Sequence, residues 1–291
     1  MFKGSFVALI TPFRNGAVDE SAFQEHVAWQ LGQGTHGLVP IGTTGECPAL
    51  EDDEQERLIA LCVEVAKGRA PVIPGTGFNS TAHTIHATQV AKKAGADAAL
   101  VVCPYYNKPT QEGLYLHFKA VHDAVDLPIV IYNIPGRTAV DMSNATMARL
   151  AQLPNIVGVK DATNDLARPL KMRVEIDGEF SLSSGEDATA VAYLAQGGDG
   201  VISVTANVAP GLCSEMHEAW QRGDVATVRR INERLIPLHD ALFAETSPAP
   251  VKYAASLLGR CTPEVRQPLC ELMPATKHRV EGAMRGAGLI N

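Results

Sequence analysis

Eight short apolar runs punctuate the chain, and each ends in a polar or glycine-rich tip. They are SFVALITP from Ser5, GLVPIGTTGE from Gly37, APVIPGTG from Ala70, AALVVCPYYN from Ala98, PIVIYNIPGRT from Pro128, NIVGVKDAT from Asn155, FSLSSGED from Phe180 and GVISVTAN from Gly200. Their starts lie 20 to 33 residues apart, close to the roughly 30 residues of a strand–helix unit. Within a run, polar and apolar residues do not alternate. That suits parallel strands covered on both faces.

Helical patterns fill the intervals. DESAFQEHVAWQLGQG sets Phe23, Val27 and Leu31 on one stripe and stops at glycine. EDDEQERLIALCVEVAKG carries its acids at the start and Lys67 and Gly68 at the end, as the helix dipole favours. NSTAHTIHATQVAKKAG opens with cap-forming residues and closes on two lysines and a glycine. Eight strand–helix units closing on themselves predict an α/β fold, a (β/α)8 TIM barrel. An open doubly wound sheet is the rival, and the near-regular spacing favours the barrel. From about Ala209 the rhythm changes to helices without strands. The expected division is a catalytic barrel over 1–224 and a C-terminal helical appendage over 225–291.

Composition narrows the function classes. With 291 residues, 46% of them hydrophobic, the chain has material for a large core. Twenty-five basic against 32 acidic side chains give a net charge of −7, which argues against nucleic acid or an anionic membrane as partner. No apolar segment approaches 18 residues, and the opening MFKGSFVALITPF lacks the charge and cleavage pattern of a signal peptide. The six cysteines are irregularly spaced with no C-x-x-C, which reads as free thiols rather than disulfides. A soluble cytoplasmic protein is the expectation.

A barrel of this kind does its chemistry at the C-terminal strand tips. Lys160 is the sharpest anomaly there, because it ends the apolar run IVGV. A buried amine is pushed toward its neutral, nucleophilic form, and with a carbonyl it forms a Schiff base. The competing reading is an ion pair with Asp161 or Glu186. Tyr132 lies one unit earlier and supplies a hydroxyl able to shuttle protons, or simply a core tyrosine. Thr43 and Thr44 stand at a turn whose hydroxyls and N–H groups suit a carboxylate, or are turn chemistry alone. Arg137 has the fork for a carboxylate, or is a surface charge. Lys252, after a Pro-rich turn, is a weaker structural candidate. Nucleotide-binding and nucleophile-elbow motifs are missing, and no histidine, cysteine or carboxylate set has zinc spacing. No cofactor or metal is expected.

These strings resemble a known family. GTTGE at 42–46, VVCPYYNKPTQEGLYLHF from Val101, YNIPGRT at 132–138, GVKDAT from Gly158, LSSGED from Leu182 and GVISVTAN are similar to the dihydrodipicolinate synthase and N-acetylneuraminate lyase family of pyruvate-dependent class I aldolases. The resemblance spans almost the whole chain. It implies that Lys160 forms a Schiff base with pyruvate and that Tyr132, Thr43 and Tyr106 relay protons, Tyr106 reaching in from a neighbouring subunit. It gives Thr44 the pyruvate carboxylate and Arg137 the carboxylate of L-aspartate 4-semialdehyde. The backbone carbonyls of Gly185 and Ile202 would line the pocket. The implied product is 4-hydroxy-tetrahydrodipicolinate, at the entry to lysine and diaminopimelate synthesis, and the implied assembly is a homotetramer built as a dimer of dimers. Sibling members act on N-acetylneuraminate, 2-keto-3-deoxy sugar acids or 4-hydroxy-2-oxoglutarate, and the GTTGE and GRT pair favours the synthase. Many relatives are inhibited by lysine. By the same resemblance that regulatory site maps to Asn79, His83, Tyr105, Asp52 and Gln55, where a glutamate is replaced by His83 and weak inhibition is expected.

Overall fold

The computed structural model describes residues 2–291. The chain opens with β1 (Gly4–Ala8), a small hairpin of β2 (Phe13–Arg14) and β3 (Ala17–Val18), helix α1 (Glu20–Gly32), β4 (Gly37–Val39) and α2 (Asp52–Ala66). It continues through α3 (Thr81–Lys93), β5 (Ala99–Val102), α4 (Gln111–Ala124), β6 (Ile129–Asn133) and the short α5 (Pro135–Thr138). Next come α6 (Asn144–Leu150), β7 (Ile156–Asp161), α7 (Arg168–Glu175), β8 (Ser181–Ser184), α8 (Ala190–Ala195) and β9 (Gly200–Ser203). Four helices follow, α9 (Pro210–Gln221), α10 (Val225–Ala241), α11 (Ala249–Leu257) and α12 (Pro274–Gly286).

Parallel strands alternating with helices, then helices alone, are the α/β succession of a (β/α)8 chain with a C-terminal appendage. Seven of the apolar runs carry a ladder strand. The run from Ala70 does not. It makes a parallel bridge from Gly75 to Leu100, and Pro71 and Pro74 remove two of the N–H donors a ladder needs. The hairpin at 13–18 was not foreseen.

The chain forms two compact units. One comprises Pro71–Ile202 with the N-terminal residues up to Lys3, the other Gly4–Ala70 with Ser203–Asn291. In the first unit the strands run in the order β9-β8-β7-β6-β5, all parallel. Tyr132 on β6 pairs with Lys160 on β7, and Asn133 with Asp161. One strand further, Lys160 pairs with Ser183 on β8. Val101, Ile129, Ile131, Val159 and Leu182 are buried along these strands. The helices begin where the sequence provides caps: Ser80, Thr110 and Ser143 accept the N–H groups of His83, Gly113 and Thr146.

In the second unit β1 pairs with β4. Asn207 stitches β1 to its neighbours, accepting the Ile10 N–H at 3.0 Å and donating to the Ala8 carbonyl at 2.7 Å. Glu51 and Glu54 form a capping box at the start of α2. Among the described residues no helix is long and apolar enough to cross a membrane, and all six cysteines are free thiols.

Candidate active site

The direct pairing of Tyr132 with Lys160 puts two side chains on the same face of adjacent strands. The Lys160 Nζ lies 4.3 Å from the centre of the Tyr132 ring. Both residues are 6% exposed. Burial holds the amine at a pKa of about 8, well below the usual 10.5. Glu186 and Asp187, in the loop after β8, pull the value up, and Arg137 pulls it down. A neutral amine is thus accessible near physiological pH, beside a phenol that both donates and accepts protons.

The surrounding backbone is shaped by close approach. Gly185 donates its N–H to the Asp161 carbonyl at 2.6 Å. A Cβ at Gly185 would stand 2.7 Å from the Ala162 Cβ, so only glycine lets the tip of β8 lie this close to β7. Ile202 on β9 is buried. Arg137 stands exposed on the short α5, and its charge acts on both Lys160 and Glu186. Glu186 is half-buried, and loss of water raises its pKa while Lys160 opposes that shift.

The opposite face of the same strand ends is polar and tied together. Asp161 does not serve Lys160: its carboxylate lies 3.4 Å from the Arg168 Nε. Strand alternation explains this, since neighbouring residues project to opposite faces. Arg168 also holds both carboxylate oxygens of Asp141 at 3.0 Å, and Asp141 accepts from Asn133 Nδ2 at 2.8 Å.

The other sequence candidates fall elsewhere. Tyr106 is 88% exposed with a positive φ of 70°, so its ring stands in solvent in the single chain. Asn107 donates to the Asn79 carbonyl at 2.8 Å. His83 stacks on Phe78 with ring centroids 3.9 Å apart, and Tyr105 is half-buried. Thr43 and Thr44 belong to the second unit, in a tight turn where the Gly45 N–H reaches the Gly42 carbonyl at 3.0 Å. Asp52 is exposed in the first turn of α2, and Gln55 is buried with its amide on the Leu50 carbonyl at 3.1 Å.

The GTTGE turn ends on Glu46, which is fully engaged. Its Oε1 accepts from Lys252 Nζ at 2.7 Å and its Oε2 from the Arg266 N–H at 2.9 Å. Lys252 and Glu46 side chains are 0% and 1% exposed. Lys252 is therefore held by a carboxylate that Lys160 lacks. Burial still lowers the pKa of Lys252, while Glu46 raises it.

Residues 1–286 match the model of the dihydrodipicolinate synthetase family. The chain belongs to that family. It is 66% identical over 290 residues to the 4-hydroxy-tetrahydrodipicolinate synthase of Rhodospirillum centenum, with all of both chains covered. Among solved structures, the dihydrodipicolinate synthase of Aquifex aeolicus is 44% identical with a TM-score of 0.97, over 99% of each chain. The chloride-inhibited enzyme of Acinetobacter baumannii, complexed with pyruvate, is also 44% identical with a TM-score of 0.97, over 100% of each chain.

Within this dihydrodipicolinate synthetase family chain, sequence reasoning missed Asp141 and Arg168. Arg168 follows Lys160 by eight residues at the first position of α7, where an arginine works against the helix dipole. That mismatch was the available signal. Among the described residues, no group of three or more His, Cys, Asp or Glu is placed to hold a metal ion.

Proposed function

We propose that this chain condenses pyruvate with L-aspartate 4-semialdehyde, forming 4-hydroxy-tetrahydrodipicolinate through a Schiff base on Lys160. The observation that carries the reading is the buried Lys160 amine beside the Tyr132 ring, its pKa lowered to about 8 by burial. The full-length likeness to synthases so named supports the choice of substrates.

The chemistry follows from the amine. Lys160 adds to the keto carbon of pyruvate, and the carbinolamine loses one water to give the imine. A proton leaves the methyl carbon to give the enamine. The enamine carbon forms a bond to the aldehyde carbon, whose oxygen takes a proton. The amine of the second substrate then attacks the imine carbon, and ring closure releases Lys160. Tyr132 carries the protons in these steps. Thr43 and Tyr106 complete the relay and Thr44 takes the pyruvate carboxylate, roles that rest on the motifs. Arg137 takes the carboxylate of the semialdehyde, and the carbonyls of Gly185 and Ile202 face the pocket. The chemistry is assigned to 1–224, with 225–291 as the helical appendage.

Tyr106 has an exposed ring on a left-handed backbone. Such a conformation costs on the order of 1–3 kcal/mol and is kept where function needs it. This supports a role for Tyr106 in a neighbouring copy; the homotetramer, a dimer of dimers, rests on the family resemblance.

The test is borohydride trapping with pyruvate, followed by a coupled assay offering aspartate semialdehyde, N-acetylmannosamine and glyoxylate in turn. The expected result is an adduct on Lys160 and turnover with aspartate semialdehyde. An adduct on Lys252, or turnover only with another aldehyde, overturns the reading.

A further inference from the structure

We propose that Arg168 is a positioning residue for the reacting pair, because its guanidinium binds together the ends of the two strands that carry Tyr132 and Lys160. The residues next to that pair are Asn133 and Asp161, which are themselves partners across β6 and β7. Side-chain alternation turns them to the face opposite Tyr132 and Lys160. There a chain of contacts runs from one strand end to the other. Asn133 Nδ2 donates to Asp141 Oδ1 at 2.8 Å. Arg168 Nη1 donates to both Asp141 oxygens at 3.0 Å, and its Nε stands 3.4 Å from Asp161 Oδ2. Arg168 Nη2 donates to the Met142 carbonyl at 2.6 Å, while the Met142 N–H reaches Asn133 Oδ1 at 3.1 Å.

The arrangement is costly in isolation. The Arg168 and Asp161 side chains are 9% and 3% exposed, and taking a charge pair out of water is repaid only by good geometry and further hydrogen bonds. Hydrogen bonds leave the guanidinium toward Asp141 and the Met142 carbonyl, and an ion pair at 3.4 Å, without a hydrogen bond, joins it to Asp161. A lysine has the charge but not the planar fork. What the geometry secures is the relative height of β6 and β7 one residue beyond the Tyr132–Lys160 pair. Proton transfer between those two groups is sensitive to displacements on the order of 1 Å.

The inference rests on the Schiff-base reading of Lys160, and the experiment separates the two. Arg168→Gln, Arg168→Lys and Asp141→Asn are assayed for borohydride trapping with pyruvate across pH, for kcat and KM, and for melting temperature. The charged groups acting on Lys160, namely Glu186, Asp187 and Arg137, are unchanged in all three. We expect Arg168→Gln to keep its adduct on Lys160 but lose about 10- to 100-fold in trapping rate and kcat, with KM for pyruvate unchanged. The pH midpoint of trapping should move up toward that of an ordinary lysine, as water enters at the loosened strand end. Arg168→Lys should not restore the rate. Asp141→Asn keeps an acceptor for Asn133 but loses the charge facing Arg168, and should shift rate and midpoint in the same direction by less. If Arg168→Gln does not fold, Asp141→Asn decides. A lowered melting temperature with kcat and midpoint unchanged in the folded variant overturns the proposal. Absence of any Lys160 adduct in the unaltered protein overturns the Schiff-base reading instead.

Discussion

Lys160 and Tyr132 face each other across adjacent parallel strands, with the amine 4.3 Å from the ring centre. A ring face favours the ammonium form, as do Glu186 and Asp187. Burial outweighs them and leaves the amine at about 8. At pH 7 that makes about one amine in ten neutral, against about one in three thousand for a lysine at 10.5. The strand register, which places the amine, and its burial therefore do the activation together.

The pH dependence of trapping follows directly. Because the pKa is depressed, the free amine appears as pH rises through about 8 and not through 10.5. The trapping rate with pyruvate should climb to a midpoint near 8. Glu186→Gln removes a carboxylate that raises the value, so its midpoint should fall below that of the parent, by up to about one pH unit. A midpoint above 9 in the parent, or an upward move in Glu186→Gln, would contradict this account.

Lys252 sets a contrast that stability measurements will expose. Its ammonium and the Glu46 carboxylate lie 2.7 Å apart with almost no exposure. Lys252→Met leaves a buried carboxylate without its ammonium and should cost about 3–5 kcal/mol. Combining it with Glu46→Gln removes the orphaned charge and should recover most of that loss. Denaturant unfolding of the two single variants and the double variant checks it. A double variant no better than Lys252→Met would mean the pair contributes through packing and not through charge.

Much of this was readable in the sequence because parallel strands covered on both faces are written as unbroken apolar runs. A lysine at the end of IVGV and a tyrosine at the end of IVIY stand out for that reason. The run from Ala70 misled because its apolar content suggests a strand while its prolines deny the ladder. The hairpin of Phe13–Arg14 and Ala17–Val18 has two-residue strands, too short for any period to register. Adjacency alone makes Asp161 an alternative partner for Lys160, although strand alternation sends it to the other face. Arg168 escaped because its partners come from separate parts of the chain, Asp141 from the loop after α5 and Asp161 from the end of β7. The burial of Lys252 escaped because Glu46 lies 206 residues away in the chain.

Arg137 should govern the second substrate and not the first. It is exposed on α5 yet acts electrostatically on Lys160 and Glu186, and its fork suits two hydrogen bonds to a carboxylate. Arg137→Ala should raise KM for aspartate semialdehyde and lower kcat through misplacement. The pyruvate adduct should persist. Because Arg137 lowers the Lys160 pKa, the trapping midpoint should also rise slightly. Loss of the adduct with an unaltered aldehyde KM would show that the roles are reversed.

Feedback by lysine should be weak. Such a ligand needs a carboxylate for its side-chain ammonium, and the position that the family resemblance gives that task is His83. His83 is stacked on Phe78 at 3.9 Å, and an imidazole is neutral or positive near pH 7. Gln55 has its amide on the Leu50 carbonyl, and Asp52 stands exposed in the first turn of α2, where a carboxylate serves the helix dipole. Losing an ion pair at a partly buried ligand costs about 2–5 kcal/mol, or roughly 30-fold or more in affinity. Initial rates against L-lysine at near-saturating pyruvate should show half-inhibition above about 1 mM, the concentration that corresponds to about −4 kcal/mol. His83→Glu should increase the sensitivity. Strong inhibition of the parent at lower concentration would mean that another carboxylate receives the ammonium, and Asp52→Asn would then be the variant to abolish it.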